Sequence, residues 1–242
     1  MLIVTLTTIP PRFHTLPDVL ASLRAQTCRP DRIVITIPRT YRRFPGVHAL
    51  PPLPEYVDIL TPADDPGPAG KILPAARAFA GQDCDILYCD DDCAYAPHWA
   101  CAFLEARKAK GQNTVIAGSG FDVARLGLGP AKQARRGKDA PAGLIDVAQG
   151  FCGVLVRPEH FDHVTHNMPP MAWPVDDVWL SGNFARLGLP IWKAKGIRDM
   201  CTPRSQPGDL QGAVVRGATR AQSNRACAAY VQKNFGVWQG AG

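Results

Sequence analysis

Three consecutive aspartates, Asp90-Asp91-Asp92, close the apolar run Ile86-Leu87-Tyr88-Cys89. Four apolar residues of this kind read as a buried strand, and carboxylates crowded at its end repel one another unless positive charge stands among them. A divalent cation supplies that charge. Carboxylate oxygens are hard ligands suited to Mg²⁺ or Mn²⁺, and an ion held by one or two of them completes its shell with water and substrate phosphate. The triplet therefore points to phosphate-bearing substrates. The competing reading is a solvated acidic turn in which one Asp caps the following helix.

A second acidic pair, Asp176-Asp177, opens the amphipathic pattern Val178-Trp179-Leu180-Ser181. Carboxylates on a first helical turn are favoured by the helix dipole, with Val178, Leu180 and Phe184 in the core, and that alone would explain them. A carboxylate held near a bound diphosphate can also serve as general base toward an incoming hydroxyl. The run Gly67-Pro68-Ala69-Gly70-Lys71 opens another helix, where an ammonium and a helix N-terminus could both face an anion. It is not a Walker A loop, because only two residues separate its glycines and Ile72 stands where Ser or Thr is required. Cys89 and Cys93 bracket the acids, yet no His or Cys pair at finger-like spacing accompanies them, so zinc is not indicated. His160, His163 and His166 form no metalloprotease pattern and are expected at the surface.

The elements that must position these groups alternate along the chain. Strand signals fall at residues 4–9, 33–37, 57–60, 86–89, 114–117, 151–156 and 191–193. Helix signals fall at 16–23, 72–79, 97–108, 176–187 and 219–230. This alternation predicts an α/β fold with a mostly parallel sheet covered by helices. In such sheets ligands bind beyond the carboxyl ends of the strands. Thr7, Thr8, Pro10 and Arg12 after the first strand, Asp64, Asp65 and Lys71 after the third, and Asp90 to Asp92 after the fourth should therefore converge.

With 242 residues, 46% hydrophobic and 20% charged, the chain is long enough for one large domain, shows no composition break, and is not a disordered polymer. Its eight cysteines follow no compact disulfide framework, and Cys84, Cys89, Cys101 and Cys152 read as small buried residues. The first residues lack the basic lead and apolar length of a signal peptide or membrane span, so the expectation is a cytoplasmic protein. A net charge of +6 suits attraction to phosphates or to an anionic membrane face. Residues 118–143 hold several Gly and the basic cluster Lys132, Arg135, Arg136 and Lys138, and are expected to form a mobile surface segment.

Three features, in this order, resemble the bacterial glycosyltransferases of the A-type fold, which move a sugar from a nucleotide diphosphate sugar. They are the first strand leading to Thr7-Thr8-Ile9-Pro10-Pro11-Arg12, the strand ending in Asp90-x-Asp92, and the helix-opening pair Asp176-Asp177. The resemblance spans residues 1–195, with 196–242 as an Arg-rich tail and helix packed on the same domain. It implies a single Rossmann-like domain and a UDP-sugar donor in preference to others. Asp92 would ligate Mn²⁺ or Mg²⁺ bridging the diphosphate, and Asp90 would share that ion or contact the ribose. Asp91 would support them, while Thr7, Thr8, Arg12 and Lys71 would lie along the nucleotide sugar. Asp177, or else Asp176, would be the base of an inverting enzyme. Many such enzymes draw another metal ligand from a C-terminal histidine, but the last one here is His166, so Arg204, Arg216 or Arg220 would clamp the diphosphate instead.

The implied acceptor is a glycan or a lipid-linked glycan in polysaccharide biosynthesis, met by residues 118–143, with peripheral contact to the anionic inner face of the membrane and no nucleic acid. Two rivals stand beside this reading. A sugar-phosphate nucleotidyltransferase would need a Gly-rich loop after the first strand, where this chain has none. A non-enzymatic basic protein would bind through Arg39, Arg42, Arg43 and the cluster at 132–138, although such runs are most often a solvated face.

Overall fold

The computed structural model describes residues 1–50, 52–128, 141–204, 208, 210 and 212–239. In chain order its strands are β1 (Leu2–Thr7), β2 (Arg32–Thr36), β3 (Val57–Leu60), β4 (Asp85–Tyr88), β5 (Cys93–Tyr95), β6 (Val115–Ala117), β7 (Gly120–Phe121), β8 (Gly143–Ile145), β9 (Val147–Ala148), β10 (Val154–Val156), β11 (Ile191–Lys193), β12 (Cys201–Pro203), β13 (Val214–Val215) and β14 (Ala218–Thr219). The helices are α1 (Leu16–Arg24), α2 (Leu73–Ala78), α3 (Trp99–Lys110), α4 (His163–His166), α5 (Asp176–Arg186) and α6 (Arg220–Phe235).

Eight strands form one sheet in the order β3-β2-β1-β4-β10-β6-β11-β8. β1 runs parallel to β2 and β4, β2 to β3, and β6 to β11. The near-continuous apolar runs of β1 and β2 suit strands buried on both faces. Alternate residues feed two cores. Val4, Leu6, Ile33 and Ile35 pack with Leu16, Val19, Leu20 and Leu23 of α1 and with Trp99 and Phe103 of α3. Ile3 and Val34 face the other way, toward α2, Trp179 and Phe184 of α5, and Cys227, Ala228 and Val231 of α6. The C-terminal helix thus completes the second core. The mostly parallel, helix-covered sheet agrees with the alternation of signals.

Several expectations are corrected. The segment at 151–156 is a strand only from Val154, and it runs antiparallel between β4 and β6 because the chain already runs antiparallel to residues 117–121 from β9 onward, with Gly150–Cys152 only bulging out of that ladder. Residues 118–123 are not a surface loop: they are buried, and β7 pairs with β9. Residues 129–140, with Lys132, Arg135, Arg136 and Lys138, lie outside the described residues. His160 is buried, its Nε2 3.0 Å from the Gln112 carbonyl, because the chain folds back against the start of β6. Cys101 is bonded to Cys28, which joins the α1–β2 connection to α3, whereas Cys84, Cys89 and Cys152 are free and buried as expected. Disulfides are rare in reducing cytosol, so this bond and the cytoplasmic expectation pull in opposite directions. Among the described residues no helix is long and apolar enough to cross a membrane.

Candidate active site

The carboxyl ends of β1 and β4 open onto a cleft of about 940 Å³, counting its mouth. Thr7 ends β1, and a tight turn at Pro10–Arg12, with proline where a helix tolerates the loss of an N–H, carries Arg12 over the ends of both strands. Arg12 Nη1 lies 2.6 Å from Asp91 Oδ1 and 3.1 Å from Asp92 Oδ2. The other oxygen of Asp91 accepts from Thr8 Oγ1 at 2.6 Å. Asp91 is thus buried and fully engaged, while its neighbours Asp90 and Asp92 keep part of their surface open to the cleft. None of the three caps the next helix, since His98 holds that position in α3.

Lys71 enters from the turn Gly67–Lys71 that precedes α2. Gly67 is obligatory there: its φ is +62°, and a Cβ would stand 2.5 Å from the Trp173 ring. Lys71 faces carboxylates of the chain itself. Its Nζ lies 2.7 Å from Asp90 Oδ1 and 3.0 Å from Asp176 Oδ2, with the side chain only 4% exposed. The contact depends on a second glycine, because a Cβ on Gly150 would come within 2.6 Å of that Nζ. Gly150 also donates its N–H to Asp177 Oδ1 at 3.0 Å. The acids that open α5 therefore reach outward to other elements rather than cap their own helix, whose N-cap is Val175.

The electrostatics follow from burial and crowding. Burial, followed by the charge of Asp90, lifts Asp92 to about 6. Burial and then Asp176 lift Asp177 to about 6. Burial would discharge Lys71, but Asp176, Asp90 and Asp177 together hold its pKa well above the ordinary value. Arg12 is likewise raised, burial being outweighed by Asp91, Asp92 and Asp90. Among the described residues six carboxylates line the cleft (Asp65, Asp90, Asp91, Asp92, Asp176, Asp177) against four cationic side chains (Arg12, Arg43, Lys71, Arg220), an excess of two negative charges when all are ionised.

Nine of the ten site residues expected from sequence meet here, namely Thr7, Thr8, Arg12, Lys71, Asp90, Asp91, Asp92, Asp176 and Asp177. Arg204 does not, because its guanidinium turns to Asp18 on α1 at 2.8 Å and only its backbone N–H touches the site, at the Asp92 carbonyl. Arg216 sits exposed at the β13–β14 turn, whereas Arg220 lines the cleft. Sequence reasoning missed Tyr41 and Phe44, and weighed Arg43 only as part of a basic surface. They follow β2, so the rule that gathers the loops after β1, β3 and β4 would have found them too. Trp173, whose Nε1 donates to the Asp65 carbonyl at 3.1 Å, carried no pattern at all.

Two buried polar atoms at the cleft lack a hydrogen-bond partner, Tyr41 Oη and Asp176 Oδ2. Among the described residues no three His, Cys, Asp or Glu side chains are grouped as a complete metal cage. What the cleft offers a hard cation is the two-carboxylate site of Asp90 and Asp92. That set fits Mg²⁺ or Mn²⁺ arriving with phosphate and water, which need no all-protein cage. Comparison with models of known protein families and with curated proteins gives no match.

Proposed function

We propose that this chain is a glycosyltransferase that takes its sugar from a nucleotide diphosphate sugar, with Mn²⁺ or Mg²⁺ held by Asp90 and Asp92. The observation that carries the reading is the cleft's excess of two negative charges beside Arg12, Lys71, Arg43 and Arg220. A bare diphosphate would be repelled by that excess, whereas a cation drawn in by the acids would offset it and leave the basic groups to the diphosphate. When bound, the ion would neutralise charge growing on the departing nucleoside diphosphate.

The chain's own residues supply the rest. Arg12 and Lys71 stand within reach of the same leaving group and can take up its charge. The hydroxyl of Tyr41, buried without a partner beside Asp65 and Asp91, is placed to donate to or accept from the nucleotide. Asp177 is oriented by the Gly150 N–H and titrates near 6, which is where a general base for an acceptor hydroxyl works best at neutral pH. The acceptor would be a glycan or a lipid-linked glycan. Contact with an anionic membrane face, through exposed Arg39 and Arg42, belongs to the same proposal.

A thermal-shift panel of UDP, GDP, ADP and CDP, each with and without Mn²⁺, tests this reading. Binding to the native state raises stability by about 2.7 kcal/mol at a ligand concentration one hundred times its Kd. We expect a shift with UDP that grows when Mn²⁺ is present. No shift with any of the four, in either condition, would sink the proposal, and pyrophosphate release from a nucleoside triphosphate would move it to the nucleotidyltransferase.

A further inference from the structure

The carboxylates assigned above to a cation are already held by cations of the chain itself. Asp90 Oδ1 is 2.7 Å from Lys71 Nζ, and Asp92 Oδ2 is 3.1 Å from Arg12 Nη1. Both cations come from elsewhere in the fold, Arg12 from the turn after β1 and Lys71 from the turn before α2. Each bridges two acids, Arg12 also touching Asp91 and Lys71 also touching Asp176. The Lys71 side chain is enclosed, and the missing side chain of Gly150 is what gives its ammonium room. Asp176 Oδ2, though 3.0 Å from that ammonium, has no directed hydrogen bond, so the pair is held by charge rather than by geometry.

We propose that Lys71 and Arg12 are positioning residues that stand in for the divalent cation, keeping Asp90 and Asp92 occupied until a nucleoside diphosphate draws them away. The inference rests on the transferase reading. A dication entering alone must displace an ammonium and a guanidinium whose like charge opposes it, and must leave each buried cation with one acid where it had two, Lys71 with Asp176 and Arg12 with Asp91. A diphosphate entering alone gains two cations but strips them from Asp90 and Asp92, which are left facing one another. Entering together, the anion takes Lys71 and Arg12 while the cation takes the released carboxylates, so every charge keeps an opposite neighbour. Lys71 can make the exchange because its charge rides on a flexible four-carbon stem, and Arg12 because its planar fork matches phosphate oxygens. Cation and nucleotide are then thermodynamically coupled, and each must raise the other's affinity by the same factor.

Calorimetric titration of the full chain with MnCl₂, with and without saturating UDP, tests the exchange. In the wild type we expect Mn²⁺ affinity to rise about tenfold or more with UDP, and UDP affinity to rise by the same factor with Mn²⁺. Lys71→Met should bind Mn²⁺ without nucleotide about tenfold more tightly than the wild type does, with the coupling correspondingly reduced. Lys71→Arg, which keeps the charge, should restore the coupling. Arg12→Gln should act in the same direction more weakly, since its Asp92 contact is longer, and it serves as the test if Lys71→Met does not fold. Equal Mn²⁺ affinity with and without UDP in the wild type, or no gain in nucleotide-free Mn²⁺ affinity in the variants, overturns the exchange and leaves the transferase reading standing. If none of UDP, GDP, ADP and CDP binds any of these proteins, the transferase reading falls and the exchange falls with it.

Discussion

The two ends of the inner strands, the edge where β4 and β6 begin and the edge where β1 and β4 end, both gather charge around buried side chains, and they treat it in opposite ways. At the edge where β4 and β6 begin, Arg107 spends its guanidinium on Asp85 and on the carbonyls of Gly111, Gln112, Thr114 and Leu155. Arg157 pairs there with Asp83 and Glu159. Hydrogen bonding to Arg157 lowers Asp83, and at exposed Glu159 the little desolvation that the carboxylate meets is outweighed by bonding to the same arginine. At the edge where β1 and β4 end, the balance tips the other way. Asp92 and Asp177 are pushed up to about 6, and Tyr41 Oη and Asp176 Oδ2 find no hydrogen-bond partner. One edge is a staple whose donors are spent on the fold. The other holds charge in excess of what the fold can satisfy, and perturbed groups gathered in a cleft mark a site of function.

The contrast can be broken most sharply at Asp177. Asp177→Asn should lower sugar transfer by roughly 10²–10⁴-fold, the span of a lost general base, while leaving the nucleotide-dependent thermal shift in place. A variant that transfers at the wild-type rate would remove Asp177 from the reaction. Arg107→Ala should do the reverse. Leaving a buried acid and several carbonyls without their partner should cost on the order of 3–5 kcal/mol, read by urea denaturation, with the nucleotide response per folded molecule unchanged. If Arg107→Ala proves neutral, the staple is not one.

Acid titration of stability sets the edges against each other more finely. Asp92 and Asp177, with folded pKa values near 6 against an ordinary value near 3.9, hold protons in the native state that the unfolded chain has released. Their contribution therefore increases as pH falls from about 6 to 4. His160 works oppositely: burial, then Arg107, lowers it to about 4, so the unfolded chain takes up a proton first and stability is lost as pH falls from about 6.5 to 4. Removing the two Asp charges with Asn should steepen the loss on acidification, and His160→Gln should flatten it, each by on the order of 1–2 kcal/mol at pH 5. Denaturation curves at pH 5 and 7 that move together in both variants would contradict the assignment. The smallest effect is expected at Tyr41. Tyr41→Phe should leave stability unchanged, because the hydroxyl has no partner to lose, and should weaken nucleotide binding by about 1 kcal/mol. A clear loss of stability would mean that the hydroxyl serves the fold.

Most of the fold was legible because it rests on local periodicity. The helix spacing of Leu16, Leu20 and Leu23 and the apolar runs at 33–37 and 86–89 report burial whatever their partners are. The direction of β10 was not legible, since a three-residue apolar strand packs equally well in either sense and the pairing of β9 with β7 before it makes the choice. In the cleft, the acids were legible as a cluster at a strand end. What neutralises them was not.

From its sequence alone this chain could be known to carry two acidic groups at element ends in an α/β fold, because strand and helix periods place side chains without reference to anything distant. Only the tertiary structure decided that Arg12 and Lys71 clasp those acids, that Arg204 turns away, and that Tyr41 and Trp173 join them. Arg12 and Asp91 are 79 positions apart in the chain, and Lys71 and Asp90 are 19 apart. No local pattern encodes such pairs, because the distance between two charges is set by how layers pack and by where a glycine leaves room.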